Sequence, residues 1–251
     1  MNRAITLPDG SRYLEVGYRI ADFRKAYLYG RIETKILHMT QNWLLVKAEV
    51  YNKDIKLGEA HGMRQYTETE PYFTEVAETV AVGRALSDIG FNLFSMELFK
   101  CSPLQRAIEL EGGMKYLNVG YRVAWFRKEN PDALIKKELL KLESNYAVVK
   151  VSVLNKEGII LTTAHARRDW KENTEGGNFF VEAAETAAVG RAMTNLGYDL
   201  PKEINAENIE NNAFADMPLG RNAYMRQNLP FFGTPAMHFI PTNNSFFLPQ
   251  E

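Results

Sequence analysis

The sequence predicts an α+β fold assembled twice: two tandem copies of a helix–three-stranded antiparallel sheet–helix unit that form a pseudo-dimer, with an extended C-terminal arm. Three observations lead there. First, four blocks recur in the same order. Leu14 to Lys25 matches Leu117 to Lys128, Trp43 to Lys53 matches Tyr146 to Lys156, "AHGMR" matches "AHARR", and Phe73 to Leu93 matches Phe180 to Leu200. Second, the hydrophobic period switches within each copy from helical to alternating and back. Third, the pattern dissolves after residue 200 into Asn, Pro and scattered aromatics. Two copies are too few for a solenoid, so they are expected to pack with faces related much as in a homodimer.

Each copy opens on "VGYRIADFRK" or "VGYRVAWFRK". Val119, Val123 and Phe126 recur at helical spacing, and Pro131 ends the segment. "IKKELLKLE" is weakly strand-like. "YAVVKVSVL" is strongly so, Val-rich with Lys150 and Ser152 interleaved. "NKEG" sets Gly158 where a turn between strands needs positive φ, "IILTTAHARR" is the partner strand, and "NKDIKLG" holds the same turn in copy one. The last block is a helix: Val181, Ala184, Ala188, Ala192 and Leu196 follow three- and four-residue steps, and Gly197 stops it. That helix must cover one face of the sheet. The chain divides into a first repeat (1–93), a linker (94–115) hinged at Gly112-Gly113, a second repeat (116–200) and the arm (201–251). The arm is too aromatic for a plain disordered tail and reads as a segment that docks on the body, a neighbouring subunit or a partner.

The 251 residues are 45% hydrophobic and 24% charged, enough for a sizeable core, and carry a formal net charge of -1. A protein coated in basic charge is excluded, so any nucleic-acid contact must come from a local patch. The single cysteine, Cys101, forms no disulfide within the chain and fits a reducing compartment as a buried or linker residue. No apolar run reaches the ~18 residues of a membrane span, and "MNRAITLPDG" lacks a signal peptide's apolar core, so a cytoplasmic protein is expected.

Candidate contacts are arginines without local partners. Thr186, Gly190 and Thr194 share one helix face, which lets another element approach. Arg191 has no acidic partner three or four residues away, and copy one repeats the Gly-Arg pair as Gly83-Arg84. Such a guanidinium suits a phosphate or a tertiary carboxylate. Arg19 and Arg122 in "GYR" invite the same two readings, as do Arg24, Lys25, Arg127 and Lys128 beside Phe23 and Phe126. Cations interleaved with rings suit single strands; Tyr18 and Tyr121 fit either stacking or core. Arg168 in "AHARR" completes the nucleic-acid-binding set. His61 and His165 lack a second His or Cys at ligand spacing and read as structural or phosphate-facing. Gly112-Gly113 and Gly176-Gly177 lack a following Lys-Ser/Thr, and no nucleophile–base constellation is legible. No catalytic residue, metal or cofactor is expected.

The "ETAAVGRAMTNLGY" block, together with "GYRV" and the order of the elements, resembles phage and prophage single-strand DNA-binding and annealing proteins of the Rad-fifty-two-like superfamily. The resemblance spans about 14–93 and 117–200. It implies single-stranded DNA held in a basic groove between sheet and helix, with strand annealing as a further activity. The superfamily's first-helix arginine falls on Arg19 and Arg122. The second member of its basic helix pair falls on Arg84 and Arg191, and the first on Gly83 and Gly190, which are not basic.

The expected function is therefore non-catalytic single-stranded DNA binding, in annealing, recombination or replication of a phage or mobile element, within the host cytoplasm. The expected partners are single-stranded DNA, further copies of the chain, and a protein met by the arm; no membrane is expected. A second reading is a structural or inhibitory interaction protein that uses the duplicated fold and aromatic tail as a scaffold. A third is a tandem hotdog-type thioesterase, though that fold places its long helix early. Asp22 stands where copy two has Trp125, so the second copy is the better candidate for gripping a strand.

Overall fold

The computed structural model describes residues 3–6, 12–68, 71–98, 102–110, 115–170 and 179–200. Cys101, the Gly112-Gly113 hinge, the Gly176-Gly177 pair and the 201–251 arm lie outside these. The first half runs β1 (Ala4–Thr6), β2 (Arg12–Leu14), α1 (Val16–Ala26), β3 (Gly30–Met39), β4 (Trp43–Asn52), β5 (Ile55–Gln65) and α2 (Phe73–Asp88). Then come a short α3 (Leu93–Leu98), a 3-10 turn (Pro103–Arg106), β6 (Ile108–Glu109) and β7 (Lys115–Tyr116). The second half follows as α4 (Val119–Glu129), β8 (Leu134–Leu142), β9 (Tyr146–Leu154), β10 (Ile160–Asp169) and α5 (Phe180–Asn195).

Alternation fixes which face of each strand is buried. Leu44, Val46, Ala48 and Val50 of β4 point one way and are buried in a core with Ala77, Ala81 and Ala85 of α2. In the second half Ala147, Val149, Val151 and Val153 of β9 meet Ala184, Ala188 and Ala192 of α5. Alanine on the helix allows close approach to the sheet. At Gly62 the approach is so close that a Cβ would stand 2.3 Å from the Ala77 carbonyl oxygen. Gly158 (φ +80) makes the β9–β10 turn and Gly197 (φ +86) ends α5, both in conformations that favour glycine.

The expectation of two separate helix–three-stranded sheet–helix units in a pseudo-dimer is corrected here. The strands belong to one six-stranded mixed sheet, ordered β10-β9-β8-β5-β4-β3, with two further two-stranded sheets, β1-β2 and β6-β7. The halves join where β5 runs parallel to β8, opposite one another at Gly58 and Ile135. The third strand of one half thus meets the first strand of the other. That is a head-to-tail junction, not the like-on-like contact of a two-fold pair. The physical reason lies in the edges. A three-stranded sheet exposes two rows of unpaired backbone groups, and merging two sheets removes one row from each. Side-chain alternation specifies the buried face of a strand and is silent about its neighbour. No helix among the described residues is long and apolar enough to cross a membrane.

Candidate nucleic-acid interface

Only one ladder pair links β5 to β8, so the β5 backbone beyond it needs other partners. Helix α5 supplies them. The His61 N–H donates to Glu185 Oε1 (3.2 Å) and the Met63 N–H to Glu182 Oε1 (2.8 Å). Glu59, on β5, in turn accepts the Lys137 N–H of β8 (2.8 Å). The carboxylates are also matched by cations of both halves. Arg84 reaches Glu185 (2.9 Å), Arg64 reaches Glu182 (3.0 Å), and His61 Nδ1 lies 2.6 Å from Glu185. Lys137 bridges Asp88 of α2 and Glu185 of α5. Burial by itself raises the Glu185 pKa, but Lys137, the His61 hydrogen bond and Arg84 outweigh it and hold the carboxyl well below its ordinary range. Glu182 goes the other way: burial dominates over Arg84 and the Met63 N–H and raises it. Sequence reasoning missed this joint. Glu182 and Glu185 have identical counterparts in copy one, so nothing about them marks them as buried; the local signals are Lys137, standing where copy one has Thr34, and Glu59 and Met63, standing where copy two has Thr163 and Arg167.

The joint also contains a cleft of about 290 Å³ that brings Arg19 and Arg84 together with Arg64, Tyr13 and Phe179. Arg19 donates to the carbonyls of Leu14 and Gly83 (both 2.9 Å), tying the start of α1 to α2. Arg122 does the same for the second half: it donates to the Leu117 carbonyl (2.8 Å) and Thr194 (2.7 Å), and pairs with Asp199 at 2.6 Å. Burial lowers the pKa of both arginines. Arg24 donates to the Gly30 carbonyl. Arg127 is buried, donates to the carbonyls of Asp88 and Ala133, and is lowered by that burial to about 10. These guanidinium groups hold backbone oxygens, most of them at helix ends, strand ends and turns.

The remaining cations of the predicted set face outward. Lys25 and Lys128 are exposed at the last turns of α1 and α4 and make no ion pair among the described residues. Lys128 ends a row on α4, Tyr121–Trp125–Lys128, spaced four and three residues apart and hence on one face. The Trp125 indole is half-buried, edge-on to Tyr198, and its Nε1 donates to Glu129 (2.8 Å). On α1 the same row is Tyr18–Asp22–Lys25. Tyr18 is 42% exposed, and Asp22 pairs with Arg3 at 2.6 Å. At the far edge of the sheet, Arg168 and Arg191 are half-buried without a carboxylate partner among the described residues. Burial, followed by the charge of Arg191, lowers the Arg168 pKa. Their copy-one counterparts, Arg64 and Arg84, are neutralised in the joint.

No curated protein matches the chain. The resemblance to Rad-fifty-two-like annealing proteins is not supported: the matching family is a different one, and its two matched segments are the two repeats themselves. The shared features on which that resemblance rested, an alanine-rich helix after three strands and an arginine in the first helix, are explained by packing against the sheet and by carbonyl clamping. The matched segments, residues 20–89 and 123–196, cover more than half of the sequence. The chain accordingly belongs to the family described as Slr1353 N-terminal dsRNA-binding domain-like.

Proposed function

We propose that this is a nucleic-acid-binding protein that acts without catalysis. The observation that carries the reading is family membership, since the family is described as dsRNA-binding domain-like and both halves match it. The outer faces of α1 and α4 offer the contacts. Lys25 and Lys128 make no ion pair among the described residues; Lys128 shares its helix face with Tyr121 and Trp125, and Lys25 with Tyr18. Rings that stack on bases beside cations that hold the backbone suit single strands, and the Tyr121–Trp125–Lys128 row is the stronger of the two. Single-stranded DNA or RNA on α4 is therefore the preferred ligand. Duplex RNA is the second reading, favoured by the family's description.

The test is a titration of labelled single-stranded DNA, single-stranded RNA, duplex DNA and duplex RNA of equal length, each at several salt concentrations. The expected result is binding that weakens steeply with salt. Lys128→Ala should lower affinity for single strands and reduce the salt slope by about 0.7, with folding stability changed by no more than about 0.5 kcal/mol. Stronger binding of duplex RNA selects the second reading. Absence of binding to all four probes at low salt refutes both.

A further inference from the structure

The head-to-tail joint inside the chain has its two complementary halves repeated at opposite edges of the sheet, without ion pairs among the described residues. Within the joint, the first half contributes the donors His61, Arg64 and Arg84, and the second half the acceptors Glu182 and Glu185. The repeat puts the same acceptors on the first half as Glu75 and Glu78. Both are exposed on α2. It puts the same donors on the second half as His165, Arg168 and Arg191. His165 is exposed, whereas His61 is 2% exposed. None of these five residues makes an ion pair among the described residues. Glu78 is steadied by the Thr34 hydroxyl (2.5 Å), at the position from which Lys137 holds Glu185.

The backbone tells the same story. β3, the first strand of the first half, and β10, the third strand of the second, are the two edges of the sheet. Both bear exposed apolar side chains: Ile36 and Met39 on β3, Ile160 and Leu161 on β10. An open edge carrying such residues is a site for strand addition. A heterologous contact does not close on itself, so it can recur from chain to chain. The residues that would face each other are opposite in charge, Glu75 and Glu78 of α2 beside one edge and Arg168 and Arg191 at the other, while β3 itself carries Arg31, Glu33 and Lys35.

We propose that chains associate head to tail, with β10 of one running parallel to β3 of the next. Glu75 and Glu78 of the next chain then take Arg168, Arg191 and His165 as Glu182 and Glu185 take Arg64, Arg84 and His61. The register follows from Gly58 opposite Ile135 and sets Thr162 opposite Ile32 of the next chain. The contact between chains is less apolar and less buried than the internal one, for Met63, buried in the internal joint, is replaced by exposed Arg167, and the buried acceptor Glu59 by exposed Thr163. Association is therefore reversible and sensitive to salt.

Sedimentation velocity of the full chain, free of nucleic acid, tests this across concentration and salt. The expected result is a concentration-dependent series that extends beyond the dimer and shrinks as salt rises. Glu78→Arg and Arg191→Glu should each reduce the chain to monomer while leaving its circular dichroism unchanged. An equimolar mixture of the two variants should reassemble, because each restores the charge pairing of the other. A wild-type chain that stays monomeric throughout overturns the proposal. So does assembly that survives both reversals, or a mixture that fails to reassemble.

Discussion

Replacing Glu185 by Gln removes the charge from a carboxylate that is fully buried and engaged by four groups: the His61 N–H, the His61 ring, Arg84 and Lys137. The amide oxygen can still accept from the His61 backbone. What is lost is the charge that balances Arg84 and Lys137, of which Lys137 is itself 1% exposed. Removing one partner from a buried ionic cluster costs about 3–5 kcal/mol. Because Lys137 keeps Asp88, a loss near 3 kcal/mol is expected. For a domain of this size that is a fall of about 6–12 °C in Tm. The same substitution at the counterpart, Glu78→Gln, alters an exposed carboxylate whose partner is the Thr34 hydroxyl, and should cost no more than about 0.5 kcal/mol. Urea denaturation of the dilute chain reads both as midpoint shifts at unchanged slope. Equal shifts for the two variants would refute the assignment of the joint.

Acid titration of stability should show the Glu185 contribution with a defined sign. Its folded pKa is depressed, so the stability it confers is fully present above the unfolded value of about 4.3 and is lost as pH falls through the folded value. Wild-type chain should therefore lose more stability on acidification than Glu185→Gln, as read by urea midpoints at successive pH values. Glu182 is raised by burial, so its ionisation at neutral pH opposes folding. Glu182→Gln should cost far less than Glu185→Gln at pH 7 in the same measurement. Gly62→Ala should destabilise by about 1–3 kcal/mol or more, since the added methyl meets backbone, not a movable side chain; its counterpart is already alanine, Ala166. Arg122→Ala should lower the thermal midpoint and leave the salt slope of nucleic-acid binding unchanged, because its guanidinium holds the Leu117 carbonyl and Asp199.

The elements were more legible than their assembly. Alternation marks the β9 strand and a run of alanines marks α5, because each signal is local and each face has one environment. The junction of β5 and β8 was illegible, since Gly58 and Ile135 carry no mark of being neighbours. The roles of the arginines were half legible. Spacing shows that Arg191 lacks an acidic helical partner, whereas Arg84 has Asp88 four residues on; spacing is silent about the contact of Arg84 with Glu185 of the other half. Arg19 and Arg122 recur because each must bind a carbonyl five residues back. A repeat records that requirement as faithfully as it would a phosphate contact.

Duplication therefore leaves an asymmetry that sequence identity hides. Two copies joined head to tail have one internal interface and repeat its two halves at the ends. Selection can act on each site separately once the copies are fused. The internal joint carries Lys137, Glu59 and Met63, which supply a bridging cation, an acceptor and apolar contact. The corresponding positions at the ends are Thr34, Thr163 and Arg167, which keep the surfaces wettable. An interface meant to stay closed tolerates buried charge because its partner is covalently present. One that opens must leave its charges exposed enough to return to water. The acids and bases shared by both copies, standing at the two ends without the residues that seal the joint, are what a reversible copy of it requires.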